Sequence, residues 1–77
     1  MLNFYVYILK CSDHTYYVGH TDDLEKRMAE HEAGLGGEYT SLRLPVSLIF
    51  MQEFSSRIDA LEAERKIKKW GRHYRFA

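Results

Sequence analysis

One segment near the N-terminus restricts the fold more than any other part of the chain. The run NFYVYILKC, residues 3–11, is rich in valine, isoleucine, tyrosine and phenylalanine, which suit a pleated strand. Side chains alternate between the faces of a strand, and neither face is plainly polar here: Phe4, Val6 and Ile8 share one face, and Tyr5, Tyr7 and Leu9 share the other. We therefore expect other elements to cover this strand on both sides.

The segments that follow predict two further strands. A polar turn, SDHT, leads to YYVGH, which completes a hairpin. The run VSLIFMQEF predicts a third strand with alternating faces, Val46, Leu48 and Phe50 against Ser47, Ile49 and Met51. Between them, GLGGEYTSLRLP predicts a loop that carries a short polar segment.

Capping and termination signals predict two helices. TDDLEKRMAEHEAG predicts a helix over roughly residues 23–33, because Asp22 stands at a capping-box spacing before Glu25 and Gly34 suits a C-cap. SRIDALEAERKIKKWGRHY predicts the last helix, with Ser55 or Ser56 as its N-cap. Its apolar residues recur at steps of three and four, at Ala60, Ala63, Ile67 and Trp70. Together the elements predict an α+β fold, a small three-stranded antiparallel sheet flanked by helices.

Length and cysteine content narrow the class of protein. We expect one domain over the 77 residues. The single Cys11 allows no internal disulfide, and the sequence shows no secretion signal. It also has no apolar run near the ~20 residues that a membrane span needs. The expected setting is the cytoplasm, without a membrane partner.

The charges sum to zero but are distributed unevenly. Residues 1–56 hold four Lys/Arg and eight Asp/Glu, whereas residues 57–77 hold seven and three. The basic C-terminal helix either attracts nucleic-acid phosphates or faces solvent, where cations also favour the helix dipole. Contacts with nucleic acid are predicted at five basic residues: Arg43, Arg65, Lys68, Lys69 and Arg72.

Two polar residues of the first helix fall on its core-facing stripe. Steps of three and four residues place Arg27 and His31 on the same side as Leu24 and Met28. Both should therefore lie near the sheet. They are either site residues, or an arginine that extends along the core to solvent beside a partly buried, hydrogen-bonded histidine.

The last helix carries a candidate metal ligand. Glu64 stands at the rim of the apolar stripe, where a carboxylate is partly desolvated and needs a compensating partner. It either pairs with Lys68 or Arg57, or it supplies an oxygen to Mg²⁺, an ion that often takes only one or two carboxylates.

The hairpin carries two tyrosines and a glycine that complete the set of candidates. Tyr7 and Tyr17 lie on paired strands, so their hydroxyls are expected to converge at one end of the sheet. Gly19 follows Tyr17 by two residues, where a missing side chain allows close approach by a ligand or another backbone.

Four segments in this order, YVYILKC, YYVGHTDDLEKRMAEH, EYT and DALEAERKIKKW, resemble the GIY-YIG nuclease superfamily, in particular its small single-domain bacterial members. The resemblance covers essentially the whole chain. YVY at residues 5–7 stands for the first motif, without the leading glycine and isoleucine, and YVG at 17–19 stands for the second. The spacing of five polar residues also agrees with the family pattern: Tyr7, Tyr17, Arg27, His31 and Glu64.

The resemblance implies an endonuclease that hydrolyses phosphodiester bonds of nucleic acid, expected to be DNA, in repair or processing. It implies one divalent ion, Mg²⁺ or Mn²⁺, held by Glu64. Tyr7 or Tyr17 helps deprotonate the attacking water, and Arg27 stabilises the negative charge on the phosphate. A cation at this position acts where charge develops during the attack.

The resemblance also covers two histidines and meets two departures. His31 is implied to bind a phosphate oxygen or to assist proton transfer, and His20 stands where some members have lysine. The polar residue that members often carry after the glutamate-bearing helix has no counterpart near Phe76. The chain ends at Ala77, where another helical segment is expected, so the domain over 1–77 is either truncated at its C-terminus or minimal.

Three functions are compatible with the sequence. The first is a metal-dependent endonuclease. The second is a nucleic-acid-binding module with little or no catalysis, and the third is a domain that acts through a protein partner, with the basic tail as its docking surface.

Overall fold

A computed structural model describes residues 3–70, the side chain of Trp70 excepted. The elements follow in the order β1 (Phe4–Lys10), β2 (Tyr16–Thr21), α1 (Leu24–Glu32), α2 (Glu38–Ser41), β3 (Ser47–Phe54) and α3 (Arg57–Trp70). The strands form one antiparallel sheet in the order β2-β1-β3. The predicted α+β fold with a three-stranded antiparallel sheet is confirmed.

The first helix begins one residue later than its capping signal indicated. Asp23, not Asp22, is the N-cap, and its carboxylate accepts a hydrogen bond from the Lys26 amide at 3.1 Å. The Thr21 hydroxyl accepts from the Asp23 amide at 3.1 Å and fixes the turn into the helix. Two adjacent aspartates offer two possible caps, and this local turn selects the second.

The first helix ends as its glycine predicts. Gly34 follows the C-cap Ala33 with φ +78°, the left-handed region that glycine enters without strain. The Gly34 amide donates to His31 O at 3.1 Å and the Leu35 amide donates to Glu30 O at 2.8 Å. These two bonds form a Schellman motif, which satisfies carbonyls at the helix end.

The other two helices differ in how well their sequences predicted them. Ser56 is the residue that caps α3, since its hydroxyl accepts from the Asp59 amide at 3.1 Å. Residues 38–41, predicted as loop, form the single turn α2 after Gly37, and the Ser41 amide donates to Gly37 O at 3.0 Å. One helical turn is too short to show a periodic pattern.

An apolar core lies between the sheet and α3. It is centred on the buried side chains of Val6, Val18 and Ala60 and is completed by five partly buried residues: Phe4, Ile8, Phe54, Ala63 and Ile67. The predicted stripe of α3 thus packs against the core through Ile67, and the side chain of Trp70 lies outside the described part.

The opposite face of β1 is also covered, as its two apolar faces predict. Tyr7 and Leu9 are buried there, and His31 of α1 and Thr40 of α2 are buried on the same side. The central strand β1 is therefore covered by α3 on one side and by α1 and α2 on the other.

The third strand lies at the edge of the sheet and is exposed along most of its length. Its predicted alternation is wrong, because Ile8 pairs with Phe50 while Leu9 pairs with Leu48. Ile49 is the additional residue, a bulge that moves Leu48 and Phe50 to opposite faces. Within residues 3–70 the helices are too short or too polar to cross a bilayer.

Candidate active site

Tyr7 lies at the centre of the candidate site. The register pairs it with Gly19 of β2, and a Cβ atom on Gly19 would lie 2.5 Å from the Tyr7 hydroxyl oxygen. The Tyr7 ring therefore extends over β2 at a position where only glycine leaves room. The close approach predicted at Gly19 is made by this ring, rather than by a ligand or another backbone.

His31 packs against Tyr7 and is fully buried. Its Nε2 atom lies 3.0 Å from the Tyr7 hydroxyl oxygen, and its Nδ1 atom lies 2.9 Å from Thr40 Oγ1. Burial, and then the charge of Arg27, lower the pKa of His31, so the imidazole is neutral at pH 7. Both ring nitrogens are hydrogen-bonded within the protein, which leaves neither for a phosphate oxygen.

The two tyrosines of the site differ in access to solvent. Only 1% of Tyr7 is exposed, and burial raises its pKa to about 12 against the opposing effect of the Arg27 guanidinium. Tyr7 is therefore protonated at neutral pH. Tyr17 is half-buried, so solvent reaches it more readily than it reaches Tyr7.

Arg27 faces the Tyr7 hydroxyl from α1. The Tyr7 hydroxyl is the main cause that raises the pKa of Arg27. Arg27 Nη2 donates to Gly36 O at 2.9 Å, and Nη1 lies 3.4 Å from Glu30 Oε1. Because a guanidinium has five N–H donors, these contacts leave donors for a phosphate group.

Aromatic contacts hold Tyr17 in place. Its ring centroid lies 5.4 Å from the His31 ring, edge to face, and 6.2 Å from the Tyr7 ring. Tyr39 of α2 stacks on its other side at 6.2 Å. We refer to Tyr7, Tyr17, Arg27 and His31 as the tyrosine cluster; the chain brings all four together on one face of the sheet.

Glu64 is a residue of α3, so it lies on the face of the sheet opposite to the tyrosine cluster. Its Oε2 atom is hydrogen-bonded to His20 Nδ1 at 3.0 Å, and His20 pairs with Val6 on the α3 side of the sheet. The Glu64 charge nevertheless contributes to the raised pKa of Tyr7. The Glu64 carboxylate and the Tyr7 hydroxyl therefore influence each other although they lie on opposite faces of the sheet.

The two ion-pair alternatives for Glu64 have different outcomes. Lys68 Nζ lies 3.6 Å from Glu64 Oε1, so this predicted pair is present. The Arg57 guanidinium instead lies 5.1 Å from the Phe4 ring centroid. The pairing with His20 was not predicted, because the two residues are 44 positions apart in sequence.

The donor chemistry at Glu64 fits Mg²⁺ or Mn²⁺ better than a structural metal. Glu64 is 14% exposed, and no group of three His, Cys, Asp or Glu side chains within the described residues could hold a metal ion. One carboxylate suffices for Mg²⁺, which keeps several waters and binds substrate phosphates. A zinc site of three or four protein ligands would not fit.

The predicted nucleic-acid contacts are in differing surroundings. Arg65 and Lys69 are exposed on α3, and Lys68 is paired with Glu64. Arg72 lies outside the described residues. Arg43 already has three intramolecular contacts: its Nε lies 3.0 Å from Asp13 Oδ2, its Nη1 donates to Tyr39 O at 2.9 Å, and its guanidinium lies 3.8 Å from the Tyr39 ring centroid.

Two residues of the site were missed by the sequence analysis. Thr40 is 1% exposed and hydrogen-bonded to His31, and it belongs to the EYT segment of the family pattern. Gly36 accepts from Arg27, and a Cβ atom on it would overlap the His31 ring. Its place in a Gly-rich loop was the only available signal.

Comparison with known proteins identifies the class to which this fold and site belong. A family model described as the GIY-YIG catalytic domain matches residues 3–75. The chain therefore belongs to the GIY-YIG family, whose nucleases generally use divalent metal ions.

Bacterial proteins of the UPF0213 group are among its relatives. The UPF0213 protein SpyM50708 of Streptococcus pyogenes serotype M5 is 51% identical over 65 residues, which cover 84% of this chain and 71% of that protein. A UPF0213 protein of Streptococcus pneumoniae serotype 4 is 46% identical over 65 residues, which cover 84% of this chain and 66% of that protein. The solution NMR structure of the UPF0213 protein BH0048 from Bacillus halodurans matches with a TM-score of 0.59 and 38% identity, over 94% of this chain and 77% of that one.

Proposed function

We propose that this protein is a metal-dependent endonuclease that hydrolyses phosphodiester bonds of DNA, in repair or processing in the cytoplasm. Family membership supports the reaction class. The observation that carries the proposal for this chain is the buried Tyr7–His31 hydrogen bond, with the Arg27 guanidinium held beside it by Gly36 O.

The geometry supports distinct roles for the members of the tyrosine cluster. Tyr17 is the more accessible tyrosine, and its hydroxyl positions the attacking water. Arg27 donates to the nonbridging phosphate oxygens, on which negative charge accumulates during in-line attack. Tyr7 and His31 are buried, and they orient the guanidinium instead of touching the substrate.

Glu64 would hold one Mg²⁺ or Mn²⁺ ion, with His20 as its hydrogen-bonded neighbour. When bound, such an ion polarises a phosphoryl oxygen and lowers the pKa of a coordinated water. Exposed cations of α3, Arg65 and Lys69, together with Lys68 and the predicted Arg43 and Arg72, would contact the phosphate backbone. A protein partner could then supply sequence or structure specificity.

The test is cleavage of supercoiled plasmid and branched DNA in Mg²⁺ or Mn²⁺, compared with EDTA. We expect Glu64→Ala and Arg27→Ala to lower the rate at least about 100-fold, as loss of a charge-stabilising group does. Glu62→Ala and Lys26→Ala are matched controls, because both residues are exposed and lie within two positions of Glu64 and Arg27 on the same helices. If both site variants cleave DNA at the wild-type rate, or if wild type still cleaves in EDTA, the proposed mechanism is contradicted.

One observation favours a second candidate, a nucleic-acid-binding module with little or no catalysis. Glu64 is already paired with His20 and Lys68, and within the described residues it belongs to no group of three His, Cys, Asp or Glu side chains that could hold a metal ion. The module would bind DNA with strong salt dependence and without cleavage. Removal of one exposed lysine or arginine that contacts a phosphate would then reduce the slope of the logarithm of the binding constant against the logarithm of salt concentration by about one.

A further inference from the structure

We propose that Thr40 is a positioning residue whose hydroxyl accepts the Nδ1–H of His31 and so fixes the direction of the hydrogen-bond chain through His31 and Tyr7. Its effect on catalysis rests on the proposed nuclease function. Its effect on the imidazole tautomer does not, and the two can be measured separately.

The contacts form a continuous buried chain. Thr40 Oγ1 lies 2.9 Å from His31 Nδ1, and His31 Nε2 lies 3.0 Å from the Tyr7 hydroxyl oxygen. The three side chains are 1%, 0% and 1% exposed for Thr40, His31 and Tyr7. Water from bulk solvent therefore has little access to replace any partner, and each polar atom depends on its neighbour.

Hydrogen-bond chemistry allows two directions for this chain. A neutral imidazole has one N–H donor and one nitrogen acceptor, whereas both hydroxyls can donate or accept. In the first direction, the Tyr7 hydroxyl donates to His31 Nε2, and His31 Nδ1–H donates to Thr40 Oγ1. In the second, the Thr40 hydroxyl donates to His31 Nδ1, and His31 Nε2–H donates to the Tyr7 oxygen.

Arg27 selects the first direction. Its Nη2 donates to Gly36 O at 2.9 Å, and Gly36 lies against the His31 ring, so the guanidinium is held beside the Tyr7–His31 pair. A guanidinium has only donors. The Tyr7 oxygen turns a lone pair towards this cation, and its buried hydrogen finds an acceptor in His31 Nε2. The Nδ1 atom then carries the ring proton, and Thr40 Oγ1 is its acceptor.

Thr40 is held in this position by the rest of the fold. The Arg43 amide donates to Thr40 O at 3.0 Å, and Arg43 Nη1 donates to Tyr39 O at 2.9 Å. Arg43 is in turn paired with Asp13 of the hairpin turn at 3.0 Å. The single helical turn that carries Thr40 is thus anchored to the sheet.

Loss of the Thr40 hydroxyl would affect Arg27 through two intermediate side chains. A buried Nδ1–H without an acceptor is costly, so the ring proton would move to Nε2. Nε2–H would then donate to the Tyr7 oxygen, and the Tyr7 hydrogen would turn towards the guanidinium. Two donors would face each other, and Arg27 would lose its orientation towards the phosphate.

The first test is the tautomer of His31 in the wild-type protein, read from its ¹⁵N and ¹³C NMR shifts above pH 7. We expect the Nδ1–H form in wild type. An Nε2–H form in wild type overturns the proposal, and this measurement requires neither a variant nor an active enzyme.

The second test compares Thr40→Val, which keeps the shape, with Thr40→Ser, which keeps the hydroxyl. We expect Nε2–H in Thr40→Val and Nδ1–H in Thr40→Ser. In the plasmid assay kcat should fall about 10- to 100-fold in Thr40→Val, the range for partners that orient a functional histidine, with KM little changed. Ser41→Ala, which removes a neighbouring hydroxyl of α2, is the control.

The outcomes separate the two proposals. A Thr40→Val protein that keeps the Nδ1–H tautomer and the full kcat overturns the positioning role. A Thr40→Ser protein that loses the Nδ1–H tautomer or the wild-type kcat also overturns it. If the Thr40→Val protein does not fold, the wild-type and Thr40→Ser tautomers still decide. If wild type cleaves no DNA, the proposed function fails, while the tautomers continue to test Thr40.

Discussion

The two faces of β1 are buried to a similar degree and by different chemistry. Towards α3, Val6 packs with Val18 and Ala60 in an apolar core. Towards α1 and α2, Tyr7 packs against His31 and Thr40 through hydrogen bonds. Apolar contacts have no direction, whereas hydrogen bonds do. One face therefore supplies stability, and the other fixes the orientation of functional groups.

The largest effect should come from placing a charge on the apolar face. Val6→Asp buries an unpaired carboxylate, which costs several kcal/mol and approaches the whole stability of a small domain, about 5 kcal/mol at the low end. We expect no cooperative urea transition in circular dichroism at pH 7. Ile49→Asp, on the exposed edge strand, should cost less than about 1 kcal/mol. A stable Val6→Asp protein would contradict the comparison.

The polar face should instead be sensitive to pH at both extremes. Folding raises the pKa of Tyr7 to about 12. The contribution of Tyr7 to the free energy of unfolding is therefore fully present below the unfolded pKa near ~10, and it is lost as pH rises towards 12. The loss amounts to roughly 3 kcal/mol. Folding lowers the pKa of His31, so its contribution is present above the unfolded pKa near ~6.5 and declines as pH falls below it.

Urea unfolding across this pH range, compared between wild type and Tyr7→Phe, isolates the alkaline part. The difference in free energy of unfolding between the two proteins should change between pH ~10 and ~12. At pH 7 Tyr7→Phe should remain folded, about 1 to 3 kcal/mol less stable because His31 Nε2 loses its partner. A difference that is independent of pH would show that Tyr7 is not desolvated.

Gly19→Ala tests how closely the polar face is packed. The new Cβ would lie 2.5 Å from the Tyr7 hydroxyl oxygen, so the ring must shift, at a cost of about 1 to 3 kcal/mol. In a Tyr7→Ala background the same substitution should cost less, because the ring is absent. Chemical denaturation of all four proteins gives the coupling energy, and a value near zero would contradict the contact.

The smallest effect is expected for the arginine that anchors α2. Arg43→Lys keeps the charge but loses the forked contacts to Asp13 and Tyr39, at about 1 kcal/mol or less for a half-exposed pair. We expect a small loss of stability in thermal unfolding and a mixed His31 tautomer in NMR. Lys69→Ala, on the exposed face of α3, should change neither.

Local patterns predicted the elements because their causes lie within a few residues. The two apolar faces of β1 predicted cover on both sides, and Gly34 predicted the end of α1. The bulge at Ile49 and the one-turn α2 were missed, since both depend on pairing and packing with distant segments. The choice between Asp22 and Asp23 as cap depended on a single turn geometry.

The candidate site was predictable where helical or strand spacing brings residues together. Spacing of three and four placed Arg27 and His31 on the buried side of α1, and strand pairing placed Tyr7 beside Gly19. Spacing could not show that Glu64 lies on the other face of the sheet, or that His20 is its partner. It also gave no acceptor for the buried His31, because Thr40 reaches the ring only through the fold of α2.

We expect the segment between α1 and β3 to open as a unit of its own, because the Schellman turn at Gly34 and the contacts of α2 bond it largely within itself. The amides of Ser41, Leu42 and Arg43 donate to carbonyls within this segment. Unwinding α2 would expose these amides and break the Thr40–His31 bond in the same event. Their hydrogen-exchange rates in the free protein therefore report how often the buried polar network comes apart, without substrate, metal or catalysis.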